Sequence, residues 1–247
     1  MKIIINGLAT EYRERGTGPT LLLLHGWGSS ADVFDELVKP LEATHHIVGL
    51  NLPGFGGSEM PPLTWGVADY AQFVSDFCGK KSFSPHSILG HSLGGQIAVY
   101  GVGTGIFSPQ KLILIAAAAI RTTPGVKKRS LHVLAKVGKT ILGKTPFGAA
   151  ARKRLYSHIG SAEYLDQPMM QPIYRRVITE DQTDNARRIN CPTLLIWGCD
   201  DRDTPIESGR ALAKIIPASK FVEFGGGHFV FIDHPRGVLV QITEFLA

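Results

Sequence analysis

Residues 87–96 read Ser-Ile-Leu-Gly-His-Ser-Leu-Gly-Gly-Gln, and the chemistry they offer is nucleophilic. Gly90-His91-Ser92-Leu93-Gly94 is a G-x-S-x-G pattern, with a short apolar strand before it (Ile88, Leu89) and a helix-permissive stretch after it at 96–100. Glycines two positions before and after the serine let strand and helix backbones pass closely, so that Ser92 projects alone into a cleft. The same turn aims the Leu93 N–H and the positive end of the following helix at one point, where an oxyanion can form. A serine hydroxyl is a poor nucleophile at neutral pH. It needs a base within hydrogen-bond reach, and that base needs an anion to fix its tautomer and stabilise the imidazolium.

The elements that must position such a serine are legible from pattern. Residues 2–5 and 8–13 flank Asn6-Gly7, the dipeptide best suited to a type I′ hairpin turn. Residues 20–24, Thr-Leu-Leu-Leu-Leu, are nearly continuous hydrophobe, as in a strand buried on both faces. Apolar residues then recur at helical spacing (Phe34, Leu37, Val38, Leu41) until His45. A strand at 47–50 and a loop at 51–58 follow, then a helix with Val67, Tyr70, Ala71, Val74 and Phe77 on one face, the elbow, and a strand at 111–118. This alternation predicts right-handed crossovers and a doubly wound, mostly parallel sheet of about eight strands. It breaks at 120–190, where the pattern predicts helices at 130–142, 149–159 and roughly 163–178. The rhythm resumes with a strand at 192–198, a helix at 207–216, a strand at 220–224 and a helix after Pro235. Residues 1–119 and 191–247 therefore read as the α/β core. Residues 120–190 read as a helical cap inserted after the sixth strand, over the carboxyl ends where such sheets bind ligands.

With 247 residues the chain suits one large domain. Its longest apolar run, 112–120, is far short of the ~18 residues of a membrane span, and the N-terminus lacks a sustained apolar leader. Cys78, Cys191 and Cys199 are odd in number, widely spaced and free of any C-x-x-C pair, which argues for reduced thiols, a cytoplasmic setting and neither a disulfide frame nor a zinc site. No H-E-x-x-H occurs, and His45, His46 and His86 read as strand-end or surface residues, so no metal or other cofactor is expected. The net charge is +5, yet residues 120–190 hold 14 Lys or Arg against 5 Asp or Glu, which leaves 12 against 16 elsewhere. Such a segment is a solvated basic face, a dock for an acidic partner or a weak anchor to anionic lipid. No nucleic acid partner is expected.

The chain resembles the α/β-hydrolase superfamily, serine esterase type, across essentially its whole length. The motifs that carry the resemblance are His25-Gly26-Trp27-Gly28, Pro53-Gly54-Phe55-Gly56, Gly90-His91-Ser92-Leu93-Gly94-Gly95, the stretch 198–205 and Gly226-Gly227-His228. The resemblance implies the chain order nucleophile, acid, base. His228, on a glycine-rich turn, is then the base, with a structural histidine as the alternative there. Asp201 is the implied acid, three residues after Gly198 and four before Pro205; Asp200 and Asp203 stand as alternatives. The implied oxyanion hole is the main-chain N–H groups of Trp27 and Leu93. The rings of Trp27 and Phe229 line an acyl pocket or pack in the core. Asn51 departs from the pattern, since many relatives carry Asp there to order a loop.

What the resemblance implies of function is hydrolysis of a small-molecule carboxylic ester through an acyl-enzyme. The His-Gly-Trp-Gly loop and the basic segment look like those of pimeloyl-(acyl-carrier protein) methyl ester esterases of biotin synthesis. On that reading Arg152, Lys153, Arg154, Arg175, Arg176 and residues 127–129 grip an acidic acyl carrier protein. Carbon–carbon bond hydrolysis and perhydrolysis use the same three residues, and the same fold also serves as a small-molecule receptor.

Overall fold

The Asn6-Gly7 turn has positive φ at both residues, 50° and 83°, as a type I′ hairpin requires. It joins β1 (Lys2–Ile5) to antiparallel β2 (Leu8–Arg15), with Ile5 opposite Leu8. The structure is a computed structural model that describes residues 1–121 and 168–247. Buried β3 (Thr20–Leu24) lies parallel between β4 (His46–Leu50) and β5 (Ser87–His91). Outward from β5 run β6 (Lys111–Ile115), β7 (Thr193–Gly198) and β8 (Ser219–Phe224), all parallel. The strand order β1-β2-β4-β3-β5-β6-β7-β8 is the doubly wound, mostly parallel sheet of eight strands that the alternation predicts. The chain leaves β3 for β4 on one side and returns past it to β5 on the other. The carboxyl ends of β3 and β5 thus flank the switch point, where open α/β sheets hold ligands.

The predicted helix at 34–45 is instead a run of short turns over 31–43 around α1 (Asp35–Val38), with Pro40 in the tighter 3₁₀ section that follows. α2 (Val67–Lys80) buries the predicted face, and the Asp69 carboxylate accepts the Gly66 N–H at its start (2.7 Å). α3 (Leu93–Gly103) follows the elbow. The strand expected to reach 118 stops at Ile115, because Ala116 turns the chain with φ of 48°. The segment 116–192 intervenes between neighbouring strands β6 and β7. Its predicted helices at 130–142 and 149–159 lie outside the described residues, and of the one at 163–178 the described part is α4 (Gln171–Val177) after a 3₁₀ turn. α5 (Thr183–Ala186), α6 (Ile206–Ile215), α7 (Val230–Asp233) and α8 (Pro235–Leu246) complete the described helices. Among the described residues no helix is long and apolar enough to cross a membrane. Leu21 to Leu24 are at most 2% exposed, so truncating any of them to Ala would cost about 2–5 kcal/mol.

Candidate active site

Ser92 follows the last residue of β5 with φ of 51° and ψ of −113°, a left-handed conformation that a non-glycine residue adopts only when its surroundings force it. Those surroundings are visible. Its N–H donates to the Ile115 carbonyl (3.1 Å) and its carbonyl accepts the N–H of Ala118 (3.0 Å), which pins the elbow to the end of β6. A Cβ on Gly90 would sit 2.6 Å from the Gly94 carbonyl oxygen, and one on Gly94 would collide with the Leu24 carbonyl. The turn can close only with glycine at both places, and it leaves Ser92 half-exposed while β5 and most of α3 are buried.

Asp201 is buried and His228 is 8% exposed. The His228 ring meets the carboxylate through Nδ1, 2.9 Å from Asp201 Oδ2. The same carboxylate accepts the N–H groups of Asp203 and Thr204 on Oδ1 (2.9 Å each) and lies 2.7 Å from the Thr204 hydroxyl on Oδ2. Asp200 and Asp203 are exposed, so Asp201 is the member of the acidic trio that the fold turns inward against the imidazole. Hydrogen bonds from the N–H groups of Cys199 and Asp200 to the carbonyls of Phe224 and Gly226 (2.9 Å each) tie the loops after β7 and β8 together and set this distance. Side-chain ligand atoms of Asp201, Asp203 and His228 lie within 4.8 Å of one another. Both Asp201 oxygens and His228 Nδ1 already serve the hydrogen bonds just described, and a cation there would have to displace them.

Two further histidines hold the frame. His25 is fully buried; its Nδ1–H donates to the Gly26 carbonyl (2.7 Å) and its Nε2 accepts the Leu52 N–H (3.0 Å). Burial pulls its pKa down to about 4, so the neutral ring is the form that fits. His91 Nε2 donates to the His228 carbonyl (3.0 Å), and burial, joined by nearby His228, pushes its pKa well down. Sequence reasoning gave His91 no role beyond its motif, and it did not identify Thr204 or Gln96. Gln96 donates from Nε2 to the carbonyls of Val177 (2.9 Å) and Glu180 (3.0 Å), fastening α3 to the end of α4 and the turn after it. The contacts of His91 and Gln96 join residues 81 to 137 apart in the chain and leave no local signature.

Trp27 is 5% exposed, packs edge-on against Phe55 and Tyr174 with ring centroids 5.0 Å away in each case, and lines a cavity of about 210 Å³ shared with Ser92, Leu93, Thr204 and His228. Its indole N–H has no acceptor among the described residues. Neither the Trp27 nor the Leu93 main-chain N–H donates to a main-chain carbonyl among the described residues. Phe229 packs instead against His91, His228 and Phe231, with centroids 5.0, 5.6 and 6.0 Å away, and the cavity wall is built without it.

Asn51 links the loop after β4 to its neighbours, accepting the Ala31 N–H (2.7 Å) and donating to Glu11 Oε2 (2.6 Å). Glu11 also accepts the Gly57 N–H (2.8 Å), the largest influence holding its carboxyl below the usual range. An Asp at 51 would face that carboxylate with a second one, which explains the amide here. Of the basic residues expected to dock a carrier, Arg152, Lys153, Arg154 and 127–129 lie outside the described residues. Arg175 is exposed on α4. Arg176 is engaged within the fold, paired with Glu180 (3.2 Å) and hydrogen-bonded to the Thr64 carbonyl.

Known proteins resemble this chain along nearly its full length. A pimeloyl-(acyl-carrier protein) methyl ester esterase of Chromobacterium violaceum is 29% identical over 247 residues, covering 94% of this chain and 95% of its own. The uncharacterized hydrolase YugF of Bacillus subtilis is 26% identical and covers 98% of this chain and 94% of its own. The crystal structure of the enol-lactonase from Burkholderia xenovorans superposes with a TM-score of 0.78 at 18% identity, over all of this chain and 99% of that one. Residues 21–242 match the model of the alpha/beta hydrolase family, and the chain belongs to that family.

Proposed function

We propose that this protein is a serine hydrolase that cleaves a carboxylic ester through an acyl-enzyme. The observation that carries the reading is the 2.9 Å hydrogen bond between Asp201 and His228 beside the cavity into which strained Ser92 opens. With Nδ1–H donated to Asp201, His228 presents its Nε2 lone pair as the base. Ser92 Oγ adds to the ester carbonyl carbon while its proton passes to Nε2. The carbonyl oxygen becomes an oxyanion received by the N–H groups of Trp27 and Leu93. Collapse breaks the carbon–oxygen bond, and the imidazolium returns the proton to the departing alkoxide. The alcohol leaves, water attacks the acyl-enzyme, His228 takes its proton and gives it to Ser92 Oγ as that bond breaks, and the acid leaves. Asp201 remains a carboxylate throughout.

The name of the 29% identical relative and the excess of cationic residues over 120–190 support a finer reading, an ester presented on an acidic acyl carrier protein. Short-chain p-nitrophenyl esters test the main reading. The wild type should release nitrophenol in a burst followed by steady turnover, and Ser92→Ala should lose at least ~10³-fold. Activity that survives in the variant would overturn the mechanism, and a burst without turnover would point to a receptor. In the same assay, R152E/R154E should raise KM for a carrier-linked methyl ester and not for the aryl ester; equal behaviour would remove the carrier reading.

A further inference from the structure

The wall of the Ser92 cavity includes two arginines, Arg121 just beyond β6 and Arg202 next to Asp201. Arg121 donates from one Nη to the Val177 carbonyl (2.9 Å), and its own main-chain N–H donates to Asp181 Oδ2 (2.7 Å). Among the described residues neither arginine has a carboxylate within ion-pair distance, whereas Arg13, Arg15, Arg176, Arg187 and Arg210 all do. The Asp181 carboxylate that would most readily neutralise Arg121 is turned to main-chain N–H groups, those of Arg121 and Thr183. Burial of the Arg121 guanidinium lowers its pKa from the ordinary arginine value, with Asp181, Tyr174 and Glu180 acting in the opposite sense. Of the carboxylates at the cavity, Asp201 is committed to His228, and Asp203, which lines the same wall beside Arg202, has its own interactions. An apolar acyl chain gains nothing from two cations in its pocket and has to desolvate them. An anionic group turns the same two residues into charge-assisted hydrogen-bond donors, for which the planar fork of arginine is suited.

We propose that the Ser92 cavity selects esters whose non-reacting end carries a carboxylate, with Arg121 as the residue that receives it and Arg202 reinforcing the positive field. This specificity rests on the serine-hydrolase reading alone and is an alternative to the carrier-linked ester, whose non-reacting end is attached to the carrier; it concerns binding that precedes chemistry. Substrates of this kind are half-esters of dicarboxylic acids.

A matched pair tests it: mono-p-nitrophenyl adipate, which carries a free carboxylate, and p-nitrophenyl hexanoate, which does not. The ratio of their kcat/KM values should be roughly 10 to 100 in the wild type. It should fall to near one in Arg121→Met and be partly restored in Arg121→Lys, which keeps the charge. Should Arg121→Met not fold, Arg202→Met, at an exposed loop position, should lower the ratio by about threefold or more, the strength of a screened charge pair. Binding separates this idea from the mechanism. By calorimetry, Ser92→Ala should hold monomethyl adipate about tenfold more tightly than dimethyl adipate whether or not the wild type turns over. Failure to hydrolyse either aryl ester would remove the hydrolase reading alone. A wild-type ratio at or below one, equal binding of the two adipates, or a ratio unchanged in the arginine variants would overturn the proposal.

Discussion

Thr204 shows how much of a catalytic geometry can reside in one side chain outside the reacting set. Its hydroxyl lies 2.7 Å from Asp201 Oδ2, 3.1 Å from the Ala116 carbonyl and 3.4 Å from His228 Nδ1, and its N–H donates to Asp201 Oδ1. It therefore holds the carboxylate beside the imidazole. Replacing it with Val removes the hydroxyl at nearly constant shape and leaves the main-chain bond. Thr204→Val should lower kcat by about 10- to 100-fold, the ~1–3 kcal/mol of an unmet hydrogen bond to a charged group, with KM little altered. Thr204→Ser should recover most of that loss, measured by steady-state kinetics on a p-nitrophenyl ester. Equal losses in both variants would mean that the methyl group, not the hydroxyl, matters. Ser92 and His228 were readable from the chain because glycine-rich turns mark them. Residue type did not separate Asp201 from Asp200 and Asp203; spacing from Gly198 and Pro205 under the resemblance favoured it, and the structure adds that the loop turns it alone inward.

Among the elements, loops after β3, β4, β5, β7 and β8 are sewn together by buried polar groups, and buried His25 makes that stitching sensitive to pH. Its ordinary pKa of 6.5 falls to about 4 in the fold. Between those values the unfolded chain binds a proton that the folded chain refuses, so stability rises with pH across that window and is lost on acidification. The loss amounts to about 3 kcal/mol at pH 4 relative to pH 7, and His91 acts in the same direction. Urea unfolding midpoints measured from pH 7 to 4 should show this slope, and His25→Gln should flatten it relative to the wild type. An identical slope in the variant would show that His25 is not buried neutral. Strand and helix alternation predicted most of these elements, since buried strands are apolar and α2 is periodic. The end of β6 escaped because the apolar run continues past Ile115 while φ at Ala116 reverses, and hydrophobicity carries no record of φ. The four-residue helices α5 and α7 are too short to show a period.

Across the whole molecule, the sheet brings residues 92, 201 and 228 to one end from β5, β7 and β8, with the β3 loop supplying Trp27. A switch point between β3 and β5 explains why Ser92 and Trp27 line one cavity although 65 residues separate them. The basic excess of 120–190 is a property of composition, and two of the arginines in play at the cavity, Arg121 and Arg202, lie at or beyond its borders. Covalent capture reads the reactivity of Ser92 itself: the protein is treated with a fluorophosphonate, which reacts with activated serines, and the adduct is mapped by mass spectrometry. A single adduct on Ser92, formed at least ~10²-fold more slowly in His228→Gln, is the predicted result. Labelling of another residue, or a rate on Ser92 that does not depend on His228, would contradict it.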